Sequence, residues 1–378
     1  MTVYLDHAAT TPLRHEAFDA MQPWLTGAFG NPSGGHRVAR TARRAVDDAR
    51  ETVACVLGCD AGEIVFTSGG TEADNLAVAG VLDATGGSAV CSAIEHHAVL
   101  HAVEARGGHV VGVDRDGAVD LERLADALST DTALVSVMLA NNEVGTIEDL
   151  GAVAAVIAAH APSAVLHTDA VQAAAWLDVA TLAAGAQLIS IAGHKFGGPQ
   201  GVGALVVRSG VRLVPLLRGG GQERERRSGT HNVAGIVGMA AALAASAADR
   251  DAAVETARRR RDRLADGIAA AVDGVTVTAP SAPRLPNIAH LRIAGVDNEA
   301  LLLLLDDEGV CASAGSSCAS GATEPSHVLA AMGIGRDEAR TALRLSLGRA
   351  TTDADVDAGI ASVASAAERL RRPAAVAR

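Results

Sequence analysis

Between about residue 50 and residue 210, short β-rich apolar runs alternate with Ala-rich stretches of helical character. That alternation predicts an α/β layer built on a mostly parallel sheet, with strands at 63–67, 89–93, 133–139, 164–167, 188–192 and 203–207. Residues 233–248 form the longest stretch without a charge, which is short for a bilayer span and reads as a buried helix. A long charged helix follows near 249–263, then Pro280, Pro283 and Pro286, and then a new strand-like run at 287–293. The change in pattern places a lobe boundary in this region. A helix at 298–308, a Gly/Ser/Ala loop at 313–323, a helix at 326–332 and a strand around 341–346 complete the second lobe.

The chain has 378 residues, more than one hydrophobic core commonly organises, so two lobes are expected. Apolar residues make up 49%, but only seven are aromatic, and both cores must be filled by Val, Leu, Ile and Ala. A net charge of −12 argues against nucleic acid or an anionic membrane as the main partner. The N-terminal MTVYLDHAATTP has no basic segment before an apolar core, so a cytoplasmic location is the expectation. Five unpaired-looking cysteines suggest reduced thiols, with Cys55 and Cys59 expected as small core residues. The basic run 258–261, interleaved with Glu255, Asp262 and Asp266, reads as the solvated face of a helix.

In an open parallel sheet, ligands bind beyond the carboxyl ends of the strands. The predicted strands deliver polar groups there: Ser68-Gly69-Gly70-Thr71, Glu95-His96-His97, Asn141-Asn142-Glu143, Asp169 with Gln172, and Gly193-His194-Lys195. Two glycines before a helix make a phosphate cradle, although the same residues also suit an ordinary turn and cap. A lysine directly after an apolar strand is costly unless paired or neutralised, and Schiff-base chemistry uses such a lysine. With Asp169 as a carboxylate against a pyridine nitrogen, these parts meet the needs of a pyridoxal phosphate site. A zinc site on His96, His97 and His101 is the rival, but it lacks the glutamate of the metalloprotease motif and a nearby Cys/His cluster.

Cys318 lies in Ala312-Ser313-Ala314-Gly315-Ser316-Ser317-Cys318-Ala319-Ser320-Gly321, a segment with little to bury. A thiol on such a loop is either a nucleophile or incidental. Cys311, just after an apolar run, looks incidental.

In order along nearly the whole chain, these segments resemble the cysteine desulfurases of the NifS/IscS type, within the class V aminotransferases. The resemblance is carried by Tyr4–Pro12, Phe29-Gly30-Asn31-Pro32-Ser33, Phe66–Asn75, Glu95-His96, Asn141–Gly145, the Lys195 segment, Gly219–Glu223, Arg227–Thr230 and Arg344–Arg349. It implies the type I pyridoxal-phosphate-dependent transferase fold: a large domain over 14–250 with a mostly parallel seven-stranded sheet, and a smaller α+β domain from 1–13 and 251–378. By the same resemblance, Lys195 would carry pyridoxal 5'-phosphate, Asp169 would pair with its pyridine nitrogen, and His96 would stack on the ring and take part in proton transfer. Gln172 would touch the ring hydroxyl, Gly70, Thr71 and His194 would hold the phosphate, and Thr230 would arrive from the second subunit of a homodimer. Asn142 would border both cofactor and substrate, with Asn31 and Arg344 on the L-cysteine.

Cys318 would then take the substrate's sulfur as a persulfide and could transiently ligate an iron–sulfur cluster. Sulfur-acceptor proteins, such as an iron–sulfur scaffold or a tRNA-thiolation enzyme, would be its partners, with neither nucleic acid nor membrane bound directly. Many members carry serine where Ala192 stands, so one phosphate hydrogen bond is absent here, and His231-Asn232 also departs from the commoner residues. Other readings are a selenocysteine lyase, another class V enzyme, or a non-catalytic partner-binding scaffold; an acceptor thiol favours the desulfurase.

Overall fold

The computed structural model describes residues 2–315 and 326–371. The described strands are β1 (Val3–Tyr4), β2 (Ile64–Thr67), β3 (Ser88–Ser92), β4 (His109–Val111), β5 (Thr132–Ser136), β6 (Val165–Asp169), β7 (Leu188–Ala192), β8 (Gly203–Val207), β9 (Val275–Val277), β10 (Ile288–Ile293), β11 (Val310–Cys311) and β12 (Ala342–Ser346). Seven of them form the main sheet in the order β2-β8-β7-β6-β5-β3-β4. Within it only β8 runs antiparallel to its neighbours. The expected mostly parallel seven-stranded sheet is therefore present.

Burial explains which sequences became strands. Leu188-Ile189-Ser190-Ile191-Ala192 is buried at every position, as a central strand covered on both faces must be. By contrast β4, at the sheet edge, exposes His109 and Val110, and so lacks the apolar signature that would reveal it in sequence. The predicted strand 133–139 leaves the regular ladder after Ser136, but Val137 N–H and Leu139 N–H still donate to the carbonyls of His167 and Asp169. That extension carries the chain from β5 to the polar residues 141–143.

One large apolar cluster joins the main sheet to flanking helices, including the buried helix Val233–Ala248. A second gathers Leu5, Leu264, Ile268, Leu291, Leu301, Leu343 and Val363 around the three-stranded sheet β12-β10-β9. The N-terminal β1 pairs in parallel with β11. Backbone bonds of Leu5 and His7 with Ser346 tie the segment to the second cluster, and the Thr11 N–H donates to the His194 carbonyl just beyond β7.

Two expectations need correction. Cys55 is exposed, because the helix Arg37–Leu57 turns Val53, Ala54 and Leu57 to the core instead, whereas Cys59 is half-buried and packs against that core. Arg261 is not on a solvated face: it is buried, and its Nη1 donates to the Leu285 carbonyl at 3.0 Å. Its neighbours Arg258 and Arg259 are exposed, as expected. Among the described residues, no single helix is long and apolar enough to cross a membrane.

Candidate active site

The strands β2, β3, β5, β6 and β7 all run the same way, so their carboxyl ends share one rim. A cavity of about 310 Å³ opens there, and Gly70, Thr71, His96, Asn142, Asp169, Gln172, His194, Lys195 and Arg344 all line it. The strand-end residues singled out from the sequence are thus brought together. Asn31 and Thr230 are exposed and lie outside this lining, and Cys318 lies outside the described residues. Gly315, the last described residue before it, does line the cavity.

Each wall has a structural cause. The helix Gly70–Thr85 begins directly after β2, presenting its first N–H groups to the cavity. A Cβ on Gly70 would sit 2.9 Å from Val171 Cγ2, so only glycine lets the helix approach the loop after β6 so closely. Lys195 closes a short turn after β7 and donates from Nζ to the carbonyls of Ala8 at 2.6 Å and Ala9 at 3.0 Å. Gln172 Nε2 donates to the same Ala8 carbonyl at 2.7 Å. The N-terminal segment therefore forms part of the wall.

Electrostatics divide the cavity. Burial raises the pKa of Asp169, opposed by the Val171 N–H at 2.8 Å and the charge of Lys195. Burial and the nearby Lys195 lower His96 to about 4 and His194 to about 4, so both rings are neutral at pH 7. His96 Nδ1 accepts from the Ala98 N–H at 3.1 Å, capping the helix His97–Glu104. The proton of the neutral ring must then sit on Nε2, which makes His96 a donor. Arg344, 1% exposed, spans Asp6 Oδ1 at 2.7 Å and the Asn142 and Gly315 carbonyls, while its Nε has no hydrogen-bond partner.

His97 stacks on His101 with ring centres 4.7 Å apart and meets His327 at 4.4 Å in a tilted arrangement. Among the described residues no three His, Cys, Asp or Glu side chains are grouped as metal ligands. Five cavity residues were given no role from the sequence: Ala8, Ala9, Asp74, Met138 and Val171. Only Asp74 leaves a signal there, a carboxylate inside the otherwise apolar helix face of Ala73, Leu76 and Ala77.

The class-V aminotransferase family profile matches residues 3–358. The chain belongs to that family. It is 44% identical to the IscS-like cysteine desulfurase of Mycobacterium tuberculosis, over 99% of this chain and 98% of the relative. It is 42% identical to the cysteine desulfurase IscS of Dictyoglomus turgidum, over 98% and 95%. Among solved structures, a NifS-like protein superposes with a TM-score of 0.90 at 34% identity, covering 97% of this chain and 99% of the other. The NifS-like protein of Rickettsia africae gives 0.89 at 30% identity, over 97% and 100%. Within the class-V family, then, the chain falls with the pyridoxal-phosphate-dependent cysteine desulfurases of the NifS/IscS type.

The cavity suits that cofactor on its own terms. It offers glycine-lined helix N–H groups for a phosphate, a buried carboxylate whose charge is costly without a cationic partner, and an amine within the same wall.

Proposed function

We propose that this protein converts L-cysteine to L-alanine and passes the sulfur to its own Cys318. The observation that carries the reading is the convergence of Lys195, Asp169, His96, Arg344 and the Gly70–Thr71 helix start on one cavity. Pyridoxal phosphate, when bound, supplies an electron sink that weakens bonds at the substrate's α-carbon. Lys195 would hold the cofactor and, once released, move protons at Nζ. Asp169 would keep the pyridine nitrogen protonated, Gln172 would contact the ring hydroxyl, and Gly70, Thr71 and His194 would take the phosphate. The Nε2–H of His96 would donate toward the cofactor ring, and its low basicity would keep it from competing with Lys195 for protons.

Arg344 and Asn142, with Asn31, would orient the substrate carboxylate, the guanidinium being held rigid by Asp6 and two carbonyls. The Cys318 thiolate would attack the substrate sulfur, forming an S–S bond as the C–S bond breaks, and alanine would leave after its β-carbon gains a proton. Cys318 follows Gly315, which lines the cavity, by three residues in the sequence.

The exposed positions of Asn31 and Thr230 fit a homodimer in which Thr230 completes the partner's phosphate site. The second apolar cluster, drawn from Val3, Leu5 and residues between Leu264 and Ala367, supports a small domain from 1–13 and 251–378 beside a cofactor domain over 14–250. A cytoplasmic enzyme serving iron–sulfur assembly or tRNA thiolation through acceptor proteins completes the reading.

The test is to purify the protein, record the visible absorbance of the lysine-bound cofactor, and measure alanine and sulfide from L-cysteine. Lys195→Ala should lose both colour and turnover. Cys318→Ala should keep the colour and lose sulfide release. A Cys318→Ala variant as active as the parent removes the persulfide step, and a coloured, active Lys195→Ala removes the whole cofactor assignment.

A further inference from the structure

Below the cavity lies a buried polar file that the proposed reaction does not use. Asp74 projects from the helix Gly70–Thr85, is 1% exposed, and lines the cavity beside Asp169. Its Oδ1 has no hydrogen-bond partner and lies 3.7 Å from His167 Nε2. That ring nitrogen meets the Ser190 hydroxyl at 3.0 Å, and the same hydroxyl also reaches the Asp74 carboxyl. On its other side, His167 Nδ1 meets Ser136 Oγ at 2.8 Å, and Ser136 stands 3.5 Å from Glu95 Oε2. Glu95 is fully buried and accepts from Ser92 Oγ at 2.6 Å and the Met138 N–H at 2.7 Å. The file thus runs from Asp169 to the residue before His96.

Three carboxyls, Asp74, Asp169 and Glu95, share this buried space, and the nearby cation is Lys195, which faces Asp169. His167 adds no positive charge, since burial lowers its pKa to about 3. Like charges at this depth cannot all persist, so protons must remain in the file. Asp74 suffers most: burial and the charge of Asp169 both raise its pKa, against a single hydroxyl that favours its charged form. Asp169 instead has the Val171 N–H and Lys195 to sustain its charge.

We propose that Asp74 is a positioning residue that holds the proton of the buried Asp74–Asp169 pair, so that the single negative charge stays on Asp169 beneath the cofactor. This rests on the reading of Asp169 as the partner of the pyridine nitrogen.

Infrared spectroscopy at pH 7, on protein carrying 13C-carboxyl-labelled aspartate, tests it without turnover. Asp74 and Asp169 are the buried aspartates among the described residues, so a protonated carboxyl band that moves with the label should belong to this pair. The band should be present in the parent and vanish in Asp74→Asn. In the cofactor-loaded protein, Asp74→Asn should leave the 15N shift of the pyridine nitrogen and the cofactor affinity unchanged, because it replaces a neutral group by a neutral isostere.

Absence of the band from the parent, or its survival in Asp74→Asn, overturns the proposal. So does a loss of cofactor affinity of about tenfold or more in Asp74→Asn, which would mean that a negative charge had been removed from beside the pyridinium. The Asp169→Asn variant separates the two readings: a parent-like pyridine 15N shift there removes the role given to Asp169, whatever the state of Asp74.

Discussion

Lys195 illustrates how a single residue becomes interpretable through its neighbours. A lysine after an apolar strand could as well reach to solvent, but five strand ends aimed at one crevice make that reading poor, and the structure places its Nζ on the Ala8 and Ala9 carbonyls. Ala192, on the same wall and 2% exposed, permits a direct test of the phosphate cradle. Ala192→Ser should tighten cofactor binding by about 1 kcal/mol or less, roughly fivefold at most, as one hydroxyl joins several existing donors. Titration of apo-protein with pyridoxal phosphate reads this, and weaker binding would place the phosphate elsewhere. The signal Asp74 leaves in the sequence has two readings, because a carboxylate within Ala73-Asp74-Asn75 also looks like the polar face of a helix. Only the sheet packed against that face shows it to be buried.

At the scale of elements, legibility followed burial on both faces. The strands Leu188–Ala192 and Gly203–Val207 were read with their observed bounds, since each is a mostly apolar run set off from its neighbours, the first by Gly193 after it and the second by Gly203 at its start and Arg208 at its end. Short or edge strands such as Val275–Val277 and His109–Val111 are half exposed and carry no such run. Arginine was the least legible residue type, as Arg50 shows from within the basic helix Arg37–Leu57. It is 7% exposed, donates to both oxygens of Glu223 at 2.8 and 2.6 Å, and bonds the Ile64 carbonyl. Burial opposes the charge on Glu223, but Arg50 and His231 overcome it and hold the carboxyl at about 2. Glu223 opens a run of three non-glycine residues with positive φ, so the pair anchors a strained segment that leads to Thr230. Arg50→Met should therefore cost about 3–5 kcal/mol of stability by leaving Glu223 buried without its guanidinium, held only by His231 and the Phe66 N–H. Denaturant unfolding measures it, and a loss near zero would mean that water reaches Glu223.

Over the whole molecule, buried titratable groups should make stability fall on both sides of a maximum, through opposite linkages. Burial lowers His7, His96 and His194 to about 4 and His167 and His290 to about 3. Below pH 6.5 the unfolded chain takes up protons that these rings cannot, so stability is lost as the pH falls. Burial raises Glu95 to about 8 and Glu148 to about 7. Above the ordinary glutamate range these groups keep protons that the unfolded chain has released, so stability is lost as the pH rises. Two residues outside the cavity lining separate the limbs. His290 has Thr278 Oγ1 at 2.9 Å and an unpartnered Nε2, while Glu148 accepts the Val119 N–H and has an unpartnered Oε1. Between pH 6.5 and 4.5 the parent should lose about 2–3 kcal/mol more than His290→Gln, which cannot titrate there. Between pH 5 and 7 the sign reverses, and the parent should lose about 2–3 kcal/mol more than Glu148→Gln. The slopes of unfolding free energy against pH decide the matter, since any uniform cost of either substitution shifts the curve without tilting it. Parallel curves for parent and variant would show that the group titrates alike in the folded and unfolded chains.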